Sequence, residues 1–265
     1  MFDANNTSNN NHSKGKVAIV GAGPGALDLI TVRGQNYLKT ADTIVYTGSL
    51  VPENMLSVAK ADAEIVDTRS QVLEDWLPLV AERAKAGKTV VRLQDGDPSL
   101  YGALHELTVY LLERDIPFEV VPGVSAFQGA AARLQVELTV PELVQTIILT
   151  RMQGQTNVPT DEDLSSLASH RASLCLYLSA HHCKQAQEKL LEHYPPDTPM
   201  ALLYRVGWDD EYVKLARLDE MVSLTHEQKL KRTVLYIISP ALAGSPESRS
   251  RLYHEEHQHI FRPKK

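Results

Sequence analysis

The sequence predicts an α/β protein, and three observations carry that prediction. A buried-strand run, Val17-Ala18-Ile19-Val20, empties into a glycine turn, Gly21-Ala22-Gly23-Pro24-Gly25. A second strand runs into a second glycine turn through Arg92-Leu93-Gln94-Asp95-Gly96-Asp97-Pro98-Ser99-Leu100-Tyr101-Gly102. Strand and helix signals alternate along the chain, the rhythm of a mostly parallel sheet whose ligands sit at the carboxyl ends of its strands.

Taken in order, residues 17–20 read as a strand, 27–40 as a helix and 43–46 as a strand. Residues 72–86 have helical spacing, with Gly87 placed as a C-cap, and 89–93 are β-like. Residues 100–114 read as a helix with Leu104, Leu107, Leu111 and Leu112 on its apolar side, and 118–121 as the next strand. Residues 137–143, which contain Pro141, read as a linker between a domain at 16–136 and another at 144–243. In the second domain, 145–150 and 173–178 are strands, separated by a polar loop (153–163) and a short helix. A helix at 180–193 then leads through Pro195-Pro196 to strands at 200–205, 213–218 and 233–239. Residues 1–15, rich in Asn and Ser, read as a disordered tail, and 244–265 as a polar, basic tail.

Of 265 residues, 43% are hydrophobic and 23% charged, ordinary for a globular protein. The net charge of −6 gives no global attraction to nucleic acid, and no apolar run approaches a membrane span. Two cysteines, Cys175 in a strand and Cys183 at a helix start, make no disulfide framework. These features point to a cytoplasmic enzyme. His181-His182-Cys183 and the His254, His257, His259 set read poorly as metal ligands, because adjacent histidines on a helix diverge and the second set lies in a tail; no metal is expected. Trp76 and Trp208 read as packing anchors.

Gly21, Gly23 and Ala26 satisfy a dinucleotide-binding spacing, so an NAD-dependent oxidoreductase is one reading. Two features oppose it. Pro24 removes a backbone N–H that a pyrophosphate would need, and strand 43–46 runs into Thr47-Gly48-Ser49 with no ribose-binding acid at its end.

Three motifs in order, Val20–Gly25, Gly96–Gly102 and Val121-Pro122-Gly123-Val124-Ser125-Ala126, resemble the tetrapyrrole methylases that use S-adenosylmethionine. Narrower stretches are similar to the branch of that family serving cobalamin synthesis. They are Tyr46-Thr47-Gly48-Ser49-Leu50-Val51, Glu137-Leu138-Thr139-Val140-Pro141 continuing to Ile148-Leu149-Thr150-Arg151, and Ser250–Tyr253 with Phe261-Arg262-Pro263. The resemblance implies two α/β domains, a mostly parallel N-terminal sheet and a mixed C-terminal sheet, and a homodimer. It implies methyl transfer to carbon 11 of precorrin-4, or of its cobalt form, with S-adenosylhomocysteine as product. A sister methylase forming precorrin-2 and a non-catalytic tetrapyrrole carrier are the alternatives. The family commonly has a small residue where Asp95 stands, and a Gly-Asp-Pro-Glu-like run where this chain has Ala26-Leu27-Asp28.

Carried over residue by residue, the methyl donor is expected at Asp95, Gly96, Asp97, Leu100, Ser125, Ala126, Leu178 and Val206, with Pro24 facing the tetrapyrrole. Gly96, and Gly123 likewise, would let backbone approach the ligand closely. Asp97 either accepts from donor groups or caps a helix opened by Pro98, and one carboxylate can do both. Leu178 and Val206 either sandwich adenine or fill a core. The polycarboxylate substrate calls for local cations, for which Arg69, Arg133, Arg151 and Arg205 are candidates, since arginine binds carboxylates bidentately. Tyr46 and Ser49 are candidate hydrogen-bonding partners. An electron-rich ring carbon attacking a sulfonium methyl needs alignment rather than a dedicated base, and none is assigned.

Overall fold

Strand β1 (Lys16–Gly21) is buried at every position after Lys16, with neighbours on both sides. It pairs in parallel with β4 (Thr89–Gln94) and β5 (Phe118–Val121). Strand β2 (Thr43–Tyr46) joins the far side of β4, and β3 (Glu64–Asp67) forms the edge beyond it. The sheet order is therefore β3-β2-β4-β1-β5 in this computed structural model, which describes residues 15–154 and 156–244. Both faces are covered, which is why these strands read as continuous apolar runs. Ala18 and Val20 pack with Leu38 of helix α1 (Val32–Thr40) on one face. Val17 and Ile19 pack on the other with Val80 of α2 (Leu73–Lys85) and Leu107 of α3 (Leu104–Leu112).

After β1 the chain crosses to β2 on one side, and after β4 it crosses to β5 on the other. The carboxyl ends of β1 and β4 thus form the point where strand order reverses, the place open α/β sheets offer a ligand. Both glycine turns leave from there.

The chain divides after Ser125. In the second unit, β6 (Ile147–Arg151) lies parallel to β7 (Ser173–Tyr177). Strand β10 (Val234–Ile238) lies antiparallel between β7 and β8 (Pro199–Tyr204), and β9 (Tyr212–Arg217) closes the mixed sheet. Helices α5 (Leu164–Ala168), α6 (Cys183–Leu191) and α7 (Met221–Glu227) flank this sheet, residues of all three joining one core cluster. Helix α4 (Ala126–Leu134) packs Ala126, Phe127, Ala130 and Leu134 into another cluster with Ala201, Leu203, Leu235 and Ile237.

That packing moves the boundary: residues 126–136 were assigned to the first domain, yet α4 has its partners in the second. The supposed linker belongs there too, since Leu138 is buried and its carbonyl accepts from Ser173 Oγ at 2.6 Å. Residues 27–40 are not one helix. A 3₁₀ turn at Leu27–Leu29 ends before Thr31, whose hydroxyl caps α1 by accepting from the Gly34 N–H at 3.1 Å. The tails, with the tail histidines and the Ser250–Pro263 stretches, lie outside the described residues. No helix among the described residues is long and apolar enough to cross a membrane.

Candidate functional site

The two glycine turns touch backbone to backbone. Gly96 N–H donates to the Gly23 carbonyl at 2.8 Å and Gly23 N–H returns a bond to Gly96 at 3.2 Å, an isolated antiparallel bridge. A Cβ on Gly123 would stand 2.1 Å from the Gly96 carbonyl oxygen, and one on Gly21 would stand 2.6 Å from Gly123. Close approach was expected toward a ligand; at Gly21 and Gly123 the approaching group is the neighbouring turn.

Asp97 ties this junction together. One carboxylate oxygen accepts from Gly123 N–H at 2.9 Å, and the other accepts from the Ser99 N–H at 2.8 Å and from the Ser99 hydroxyl. Partial burial pushes its carboxyl up, but the Ser99 hydroxyl and the two N–H groups outweigh that and hold it below the ordinary range. The helix-cap alternative is corrected: residues 98–101 form a turn, and α3 begins only at Leu104 after Ala103, whose φ is 52°. A left-handed alanine interrupts the helix that the leucine spacing suggested.

Beside Asp97, Leu100 is half-buried and Ser125 is buried at the end of the first unit. Asp95 is exposed, yet dense surroundings raise its carboxyl above the usual range, with its own backbone N–H and Arg92 opposing. Pro24 is half-buried in the first turn.

A second group gathers where β2 and β3 end. Asp67 accepts from the N–H of Gly48 at 3.0 Å and of Arg69 at 2.9 Å, and pairs with the Arg69 guanidinium. A side chain on Gly48 would strike that pair, its Cβ standing 2.5 Å from Arg69 Nη2. Burial raises the Asp67 carboxyl, but these donors together leave it lowered. The Tyr46 ring is buried; burial raises its phenol, Asp67 adds to the rise and Arg69 opposes it. Ser49 is exposed beside them.

One participant was absent from the candidates: Arg92, on β4. Its Nη1 donates to Thr68 Oγ1 at 3.1 Å, and its Nη2 to Thr47 Oγ1 at 3.0 Å. The guanidinium lies 4.4 Å from the centre of the Trp76 ring. An arginine inside the apolar run Thr89–Leu93 was the signal available in the sequence.

In the second unit, Leu178 leaves β7 with φ of 53° and is 65% exposed. A leucine in left-handed backbone with its side chain in water is strained for no packing gain. Ser179 fixes this bend: its hydroxyl donates to the Tyr177 carbonyl at 2.6 Å and accepts from Met152 N–H at 2.9 Å. Ala126 lies close by in the same unit, since the following Phe127 N–H donates to the Tyr177 hydroxyl at 3.0 Å. Leu176 and Leu202 both pair with Tyr236, so Leu178 and Val206 leave the same end of the sheet on strands about 10 Å apart. Val206 itself is buried in the core cluster with Leu203 and Leu235, which is the packing alternative.

The four candidate arginines are already engaged. Arg69 pairs with Asp67; Arg133 pairs with Glu211 at 2.6 Å, and Glu211 also accepts from Gly207 N–H. Arg205 pairs with Asp210 at 2.7 Å and stacks on Trp208, 4.6 Å from its ring centre. Arg151 donates to the carbonyls of Met152, Thr156 and Asn157, holding its own loop. Both cysteines are free thiols; burial pushes Cys175 up to about 12 and raises Cys183 as well.

The family profile of the Tetrapyrrole (Corrin/Porphyrin) Methylases matches residues 16–222. A precorrin-4 C(11)-methyltransferase from Pseudomonas aeruginosa is 41% identical over 247 residues, covering 93% of this chain and 98% of that protein. A cobalt-precorrin-4 C(11)-methyltransferase from Methanocaldococcus jannaschii is 38% identical, covering 93% of this chain and 96% of that one. Among solved structures, a cobalt precorrin-4 methyltransferase described as a cobalamin biosynthetic enzyme superposes with TM-score 0.82 at 36% identity, over 86% of this chain and 95% of its own. A uroporphyrin-III C-methyl transferase from Thermus thermophilus, complexed with S-adenosylhomocysteine, superposes with TM-score 0.72 at 27% identity, over 86% and 93%.

Proposed function

The chain belongs to the tetrapyrrole (corrin/porphyrin) methylases, and from that premise we propose that it methylates carbon 11 of precorrin-4 or cobalt-precorrin-4 in cobalamin synthesis. The observation that carries the reading is its near end-to-end likeness to enzymes of that one name, 35–41% identical and covering 94–98% of their lengths. A siroheme synthase is 36% identical, but this chain spans only 48% of it, so the sister-methylase alternative is less favoured. The dinucleotide alternative loses its glycines, since Gly21 and Gly23 are occupied by the backbone of Gly123 and Gly96.

S-adenosylmethionine supplies an electrophilic methyl group on sulfur. The residues present suit such a donor: Leu178 offers an exposed apolar surface for adenine, and the turn at Asp95, Gly96, Asp97 and Leu100, followed by Ser125 and Ala126, offers polar groups for the amino-acid end. Tyr46, Ser49, Pro24 and Arg69 would line the tetrapyrrole side, with Arg133, Arg151 and Arg205 as further cations near its carboxylates. The chain's contribution is positional: the Asp97 bridge fixes both turns, and alignment of carbon and methyl does the rest. We assign the enzyme to the cytoplasm as a homodimer, as the resemblance to its family implies.

The test is incubation with S-adenosylmethionine labelled in its methyl group and precorrin-4, with and without cobalt. Label at carbon 11 is the expected result; donor binding without transfer to either substrate would point to a sister reaction.

A further inference from the structure

Arg92 is the one charged residue buried among the described residues, at 8% exposure. Burying a guanidinium is unfavourable unless an anion accompanies it. Here no carboxylate lies within 4.0 Å among the described residues; its hydrogen-bond partners are the neutral hydroxyls of Thr47 and Thr68, and its Nε has none. Burial lowers its pKa to about 10, with Asp95 opposing, so the group remains a cation at neutral pH. Arg69, Arg133 and Arg205 by contrast each hold a carboxylate of their own. Tying two loops is a task an uncharged side chain also performs; the fold sets the charge against the face of the Trp76 ring, 4.4 Å away, and supplies no anion for it.

Position supplies that use. Arg92 lies near the carboxyl end of β4, Thr47 directly follows β2 and Thr68 directly follows β3, along the edge where parallel sheets receive ligands. Thr47 is half-buried while Thr68 is buried, so the guanidinium is approached past Thr47. Only two of its five N–H donors are spent. The Thr47 hydroxyl accepts from Nη2 and donates its own proton to Thr68 Oγ1, whose proton goes to the Tyr46 carbonyl. A carboxylate arriving there would gain charge-assisted bonds from the arginine's remaining N–H donors.

We propose that Arg92, cradled by Thr47 and Thr68, anchors one acidic side chain of the tetrapyrrole substrate. The proposal rests on the tetrapyrrole reading above. It makes Arg92 a site that costs stability in the free protein and repays it on binding.

The experiment titrates uroporphyrin III, a stable tetrapyrrole carrying acetate and propionate groups, into wild type, Arg92→Gln and Arg92→Lys, by calorimetry. S-adenosylhomocysteine affinity and thermal unfolding are measured alongside. The expected result is a loss of about tenfold or more in uroporphyrin affinity for Arg92→Gln, partly restored in Arg92→Lys. S-adenosylhomocysteine affinity should stay within about twofold in both variants, and Arg92→Gln should melt no lower than wild type. Uroporphyrin binding to Arg92→Gln as to wild type overturns the anchor and leaves the methylase reading standing. Melting of Arg92→Gln well below wild type makes the guanidinium a structural strut and also overturns it. Wild type that neither binds uroporphyrin nor methylates precorrin-4 removes the tetrapyrrole reading, and the anchor with it.

Discussion

The carbonyl oxygen of Gly96 and the α-carbon of Gly123 are so close that a methyl group on the latter would stand 2.1 Å from the former. Gly123→Ala must therefore push two backbone segments apart. It should cost about 2–4 kcal/mol in urea unfolding. Gly154→Ala is the control, because its Cβ meets only the His182 ring at 3.5 Å, and its effect should stay within about 0.5 kcal/mol.

Asp97→Ala strips acceptors from Gly123 and Ser99 and should destabilise by about 1–3 kcal/mol. The pH dependence has a definite sign. The Asp97 carboxyl is lowered from 3.8 in the fold, so its contribution is present above that value and is lost as pH falls through the folded pKa. Unfolding midpoints of the variant should fall less steeply on the acid side than those of wild type. Its S-adenosylmethionine affinity, measured by calorimetry, should weaken; unchanged affinity would confine Asp97 to joining the turns.

Leu178 and Val206 should separate binding from packing. Leu178→Ser alters an exposed side chain, so stability should move by less than about 0.5 kcal/mol while S-adenosylhomocysteine affinity falls about tenfold. Val206→Ser opens a core cluster and should lower stability by about 1–3 kcal/mol.

Arg69→Ala breaks a pair whose arginine is more than half exposed, so its cost should stay below about 1 kcal/mol. Because Asp67 then loses its cation, its carboxyl should titrate at a higher pH than in wild type, readable by carboxyl-carbon NMR. The KM for the tetrapyrrole should rise severalfold with little change in donor affinity.

The first sheet was legible because strands buried on both faces leave long apolar runs, as in Val17–Val20 and Thr89–Leu93. Edge strand β3 was missed: four residues beginning and ending in acids, with Ile65 exposed, carry no such signal. Helix α4 was also missed. Its apolar side, Ala126, Phe127, Ala130 and Leu134, is at helical spacing but made half of alanines, too small a signal to be read as an element, and without it the boundary fell after residue 136 instead of Ser125. The glycine turns were found, but their mutual contact needed three dimensions, as did the absence of a carboxylate beside Arg92. The four arginines chosen by chemistry alone could not be ranked: Glu211 lies far along the chain from Arg133, and the partners of Arg69, Arg151 and Arg205, though near in sequence, are set by backbone turns that composition does not display.

Strand β10, last in chain order, is the middle strand of the second sheet. During synthesis the first sheet is complete once β5 has emerged, with its final strand added at an edge. The second stays as two separate pairs, β6 with β7 and β8 with β9, until Val234–Ile238 slides between them. A ribosome stalled before residue 234 would therefore hold a finished N-terminal half and a C-terminal half in which the β7 and β8 edges that β10 later covers stand open, a substrate for chaperones rather than a dormant enzyme.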